Sequence, residues 1–201
     1  MTAAPATTPR QAELLDHALA LAREVGLAGL TVRRLAERVG FSEAALYRHF
    51  PNKQALLLRM VERLSGERLL GPLRAIAADT ARPAAARLEA AVAHHVRTVL
   101  AVDGLPVLIL AEAAAAGDEE LLDRFRAITG ELAGIFERLL REAGPPAGAP
   151  DPRAQAIALF GLAAAAALHH RLVGDPEIEA VLREEMPRHL VRRLLGEEGG
   201  P

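Results

Sequence analysis

Residues 31–50, TVRRLAERVGFSEAALYRHF, leave little freedom in local structure. Thr31 and Ser42 are both good helix N-caps, because a side-chain oxygen there accepts from a backbone N–H that the first turn leaves unpaired. Between them stands Gly40, and glycine most readily takes the left-handed conformation that ends a helix. After Ser42 the chain runs only to Phe50 before Pro51-Asn52 breaks it. The pattern predicts one helix through Val39, a turn at Gly40-Phe41 and a second helix through Phe50. Leu35, Ala36 and Val39 on the first and Leu46 on the second fall on inward faces, and Ala36 is small enough for a close approach. Two short helices joined by a Gly-containing turn form a helix-turn-helix, whose second helix lies in the DNA major groove.

The rest of the chain reads as longer helices. Thr8-Pro9-Arg10-Gln11 is a capped start with proline in the first turn. Leu14, Leu15, Ala18, Leu19, Ala22 and Val25 follow at helical spacing, and Gly26 is the expected stop. Asn52 caps a helix beginning at Lys53, with Leu56, Leu57, Met60, Val61, Leu64 and Leu69 on its apolar face. Gly71-Pro72 is expected to interrupt it, with a short helical piece to Asp79. Amphipathic segments at 83–102, 106–116, 118–143, 151–173 and 175–195 complete the chain, two of them opened by Asp-Pro. The first seven residues and the Gly-Pro tail after Leu195 read as disordered and fraying ends. The fold class is all-α with about nine to ten helices, in two units: residues 8–55 and residues 56–196.

Composition agrees. Of 201 residues, 51% are apolar but only 3% aromatic, the surplus being Ala and Leu. These favour helix, and few β-branched or aromatic runs remain for a sheet. There is no cysteine, which removes disulfides, thiolate metal sites and Cys nucleophiles. Serine occurs only at 42 and 65, and there is no Gly-rich phosphate loop or G-x-S-x-G, so an enzyme is not expected. His94-His95 and His169-His170 do not share a helical face in either pair and lack an H-E-x-x-H arrangement, so no metal is expected. No cofactor is expected. The longest apolar run, Ala156 to Leu168, covers 13 residues, short of the ~20 that a membrane span requires. No signal peptide is visible, and a cytoplasmic location is expected.

Net charge is −2, but it is unevenly distributed: residues 1–60 carry eight Arg/Lys against five Asp/Glu, and the remainder is acidic. The basic head contains the single Tyr, Tyr47, and the single Lys, Lys53, with Arg48 and His49 between them. Tyr hydroxyl, imidazole and ammonium all donate to phosphate, and the helix N-termini at Thr31 and Ser42 favour an anion. A phosphate beside Lys53 would also offset the unfavourable dipole of a cation in a first helical turn. Phe50 reads as core. Arg34 and Arg38 read either as a solvated face or as further DNA contacts.

Residues 10–57 resemble the DNA-binding domain of the tetracycline-repressor (TetR) family of bacterial transcription regulators. The residues that carry the likeness are Gly29-Leu30-Thr31-Val32-Arg33-Arg34-Leu35-Ala36, Val39-Gly40-Phe41-Ser42, Leu46-Tyr47-Arg48-His49-Phe50, Lys53 and Leu56-Leu57. The resemblance implies that Thr31, Ser42, Tyr47, His49 and Lys53 hold phosphates, that Arg33 reaches a base, and that Glu43, Ala44, Ala45 and Arg48 face base edges. Glu43 can accept from cytosine N4 and Ala can touch a thymine methyl; Glu43 can equally be a first-turn acid that suits the dipole.

The resemblance further implies a helical body that binds a small effector and dimerises. The homodimer would form through residues 152–195 and read two-fold symmetric operator DNA, with half-sites about 34–36 Å apart or a multiple of that. The expected effector site is apolar, drawn from Val92, His95, Val99, Leu105, Leu108, Ile109, Phe125, Ile128 and Phe136. Arg97, Arg124 or Arg126 would either pair an anionic head group or lie on the surface. The helix from Lys53 to about Leu70 would be the lever between head and body. The segment Ser42 to Pro51 is also similar to the nucleoid-occlusion branch of the family, which implies a cell-division protein as partner in place of a small ligand.

Overall fold

A computed structural model describes residues 8–196; the two ends expected to be disordered or fraying, residues 1–7 and 197–201, lie outside the described residues. The described residues are helical throughout, without a strand: α1 (Pro9–Gly29), α2 (Val32–Val39), α3 (Glu43–His49), α4 (Lys53–Arg63), a π-helical segment (Leu64–Leu70), α5 (Gly71–Ala78), α6 (Ala84–Leu100), α7 (Leu105–Ala116), α8 (Glu119–Ala143), α9 (Pro152–Leu172) and α10 (Pro176–Leu194). Since α4, the π segment and α5 run on without a break, these elements make nine continuous rods.

The N-terminal unit is built as its caps dictate. Thr8, Thr31, Ser42 and Asn52 each accept from the backbone N–H three residues on. Gly40 ends α2 in the left-handed region at φ 69°. Leu35, Ala36, Leu46 and Phe50 are buried with Leu14, Leu15 and Ala18 of α1, and Val39 is half-buried against them. Gly26 interrupts α1 at φ 72°, as expected, but one more helical turn follows before Leu30. That turn is held by Arg34, whose Nη1 donates to the Gly29 carbonyl at 3.1 Å. Arg38 pairs bidentately with Glu24 of α1 at 2.6 and 2.9 Å. Both arginines therefore tie α2 to α1.

One expectation is corrected here: Gly71-Pro72 does not interrupt the helix. The turns before it widen, so that the Gly71 N–H donates to the Gly66 carbonyl five residues back. In α-register, Pro72 would have no N–H for the Arg68 carbonyl and would press its ring against it. The wide turn removes that conflict, and the freed Arg68 oxygen accepts from His94 Nε2 at 3.0 Å and from Thr98 at 3.5 Å. Side chains of α6 thus complete the backbone of the lever helix.

In the body, α6 is the central rod, burying Leu88, Val92, His95, Val96 and Val99 among α5, α8, α9 and α10. Arg87, at its start, is buried and donates to the carbonyls of Ala77 and Arg82 and to Glu142 of α8, at 2.7, 3.1 and 2.8 Å. The α6–α7 turn bends the chain by 72°. Gly104 turns there at φ 66°, where a Cβ would stand 2.8 Å from that of Ala167 on α9. Among the described residues no single helix is long and apolar enough to cross a membrane.

Candidate nucleic-acid interface and ligand cavity

α3 turns Leu46 inward and leaves Ser42, Glu43, Ala44, Tyr47, Arg48 and His49 exposed on its outer side, with Ala45 half-buried. Tyr47 is 44% exposed, high for the only tyrosine of the chain. Thr31 and Ser42 use their oxygens as acceptors in capping. Each hydroxyl keeps its proton to donate outward. Thr31, Arg33 and the α3 residues thus share the exposed surface of one small unit.

Three of the expected contacts, Arg33, Glu43 and Lys53, are ion-paired within the chain. Arg33 Nε lies 3.2 Å from Glu37 and 3.5 Å from Glu43. The hydrogen bond to Glu37, and then the charge of Glu43, push the Arg33 pKa further up. Lys53 Nζ lies 2.6 Å from Glu112 Oε1 on α7. Sequence reasoning missed Glu112, for nothing local connects positions so far apart.

Between the π segment, α6, α7, α8 and α9 the body has a partly open cavity of about 100 Å³. Of the residues expected to form an effector site, His95, Val99, Phe125 and Ile128 line it. Val92, Leu105, Ile109 and Phe136 are buried in the surrounding core and Leu108 is half-buried; none of the five lines the cavity. Leu64 and Leu69 bring the lever helix into the wall, Val107 and Leu110 bring α7, and Phe160 brings α9. Arg97, Arg124 and Arg126 are not in the wall; Arg126 pairs with Glu119 and Asp123 at the surface.

His95 stacks on Phe160 at 5.3 Å between ring centres, and its Nδ1 is buried without a partner. Burial, and secondarily the neighbouring His94, pushes its pKa down to about 3, so the ring is neutral. His94 is also lowered, mainly by burial. His170 lies between Glu179 at 2.8 Å and Asp103 at 3.3 Å. Among the described residues no three His, Asp or Glu side chains gather as a metal site.

A short capped helix pair with a donor-rich outer face, set on a helical body with an apolar pocket, has the form of a helix-turn-helix unit. Residues 14–60 match the sequence profile of the bacterial regulatory proteins of the tetR family. Residues 14–60 are thus similar to the DNA-binding domain of TetR-family regulators. The chain is 55% identical over 49 residues to the tetracycline repressor protein class C of Escherichia coli, covering 24% of this chain and 22% of that protein. It is 33% identical over 119 residues to the nucleoid occlusion factor SlmA of Colwellia psychrerythraea, covering 56% of each. The matches thus span from about a fifth to about half the length of these relatives. A transcriptional regulator of the TetR/AcrR family from Thermobifida fusca has the same fold at TM-score 0.65 and 26% identity, covering 96% of this chain and 100% of that one.

Proposed function

We propose that the protein is a homodimeric repressor that binds palindromic operator DNA and is released by a small hydrophobic effector held in the body. The observation that carries this reading is the outer face of α3, where Ser42, Tyr47, Arg48 and His49 stand exposed above a buried Leu46 and Phe50. Thr31, Ser42, Tyr47, His49 and Lys53 hold phosphates; Arg33, Glu43, Ala44, Ala45 and Arg48 face bases.

Dimerisation is supported by α9 and α10. Ile157, Leu168 and Leu172 are exposed at 57%, 51% and 81%. Their spacing places them on one face of α9, continued by exposed Val173 and Ile178. Such a row of large apolar side chains is expected to be covered by a partner. A two-fold axis through α9 and α10 would set two α3 helices on successive turns of DNA.

Switching follows from the wall of the cavity. It includes Leu64 and Leu69 of the lever helix and Val107 and Leu110 of α7, the helix that carries Glu112. An effector that favours one arrangement of these helices shifts the DNA-binding equilibrium by its difference in affinity for the two.

The test is fluorescence anisotropy on the DNA upstream of the gene against a scrambled duplex, over a salt series. Preferential, strongly salt-dependent binding supports the reading. Equal binding to both duplexes would favour the second reading, a DNA-bound partner of another protein, which the 33% identity to a nucleoid occlusion factor supports.

A further inference from the structure

The wall of the cavity contains no Asp, Glu, Lys or Arg. An ion brought into it would lose its water and find no countercharge. Most lining side chains are aliphatic or aromatic, so few polar groups could meet a ligand. The Ser65 hydroxyl is already directed at the Glu62 carbonyl and the Thr98 hydroxyl at that of Arg68, while Thr129 of α8 adds one more hydroxyl to the wall. His95 is the one titratable side chain of the wall, 4% exposed, and its imidazole makes no hydrogen bond, with Nδ1 fully buried and unpartnered. A buried polar ring left unsatisfied is destabilising, and a ligand that hydrogen-bonds the imidazole offsets that loss.

We propose that the cavity takes a small neutral ring or branched molecule bearing one hydroxyl or carbonyl, which hydrogen-bonds the His95 imidazole. This rests on the reading of the body as the effector-binding unit. The low pKa of His95 keeps it from serving as a cation for a carboxylate. A cavity of about 150 Å³ holds benzene; one of about 100 Å³ suits a ligand of similar or smaller size. The faces of His95, Phe125 and Phe160 favour a flat or cyclic skeleton.

The test is calorimetric titration of the full chain, without DNA, with cyclopentanol, cyclopentanone, cyclopentene and cyclobutanecarboxylate. The alcohol or the ketone is expected to bind saturably, with the carboxylate about tenfold weaker or more. His95→Phe is expected to cut the preference for alcohol over alkene about tenfold, and His95→Gln to restore part of it. Both variants are checked for unchanged helicity first. A carboxylate that binds as tightly as the alcohol, an unchanged preference in His95→Phe, or no binding by any probe overturns the proposal. Because DNA binding is read separately, ligand binding without operator binding overturns the repressor reading and leaves this one standing. Operator binding without ligand binding does the reverse.

Discussion

Lys53 Nζ lies 2.6 Å from Glu112 Oε1, so the first residue of the lever helix is paired to the helix that also lines the cavity. A phosphate approaching Lys53 must compete with that carboxylate. Glu112→Gln is therefore expected to tighten DNA binding about two- to fivefold, the range of a half-exposed ion pair. Lys53→Ala is expected to weaken binding on every sequence and to lower the salt-dependence slope by about one. Anisotropy titrations at several salt concentrations read both; no change in either variant would remove Lys53 from the interface.

Arg33 is paired with Glu37 and Glu43, and on DNA it would exchange a carboxylate for a base edge. Arg33→Ala is expected to weaken the preferred operator about tenfold while leaving scrambled DNA nearly unaffected, which relaxes base preference. Competition binding with single-base operator variants measures this. An equal loss on both duplexes would make Arg33 a phosphate contact.

The apolar row on α9 ends at Leu172, 81% exposed. Leu172→Arg places a charge where a partner helix would sit. It is expected to weaken self-association at least about tenfold, seen as monomer in sedimentation velocity, with operator affinity falling in parallel. A wild-type chain that sediments as a monomer at micromolar concentration would exclude the dimer.

Arg87 joins three oxygens on α5, the following turn and α8 while itself buried. Arg87→Ala leaves the Ala77 carbonyl without its side-chain donor and Glu142 with Arg138 alone, and is expected to cost about 3 kcal/mol in urea unfolding. A loss below about 1 kcal/mol would mean that water replaces the guanidinium.

His95 makes stability depend on pH. Burial lowers its pKa in the folded state from 6.5 to about 3. Between these values the unfolded chain binds the extra proton, so stability rises with pH across that interval and is complete above 6.5. Thermal unfolding from pH 4 to 8 is expected to show a shallower acid-side fall in His95→Phe than in the wild type. Parallel curves would place the acid sensitivity elsewhere.

The DNA-facing unit was legible because its signals are local. Thr31, Gly40, Ser42 and Asn52 act on backbone within three residues of themselves, and the alternation of Leu35, Leu46 and Phe50 with charged neighbours records burial directly. The cavity was less legible. On α6, Val92 and His95 both recur on the inward face, yet one is enclosed by core and the other opens on a void. Periodicity reports which side faces inward, not where packing falls short.

The helices, their caps and the helix-turn-helix follow from local sequence, since hydrogen bonding and helical spacing are decided over a few residues. Tertiary structure decided the rest. It paired Lys53 with Glu112, tied Arg34 and Arg38 to α1, and kept the chain helical across Gly71-Pro72 by completing the Arg68 carbonyl from α6. These contacts depend on which rods meet and at what angle. That is settled by the packing of whole helix faces, and no residue carries it alone.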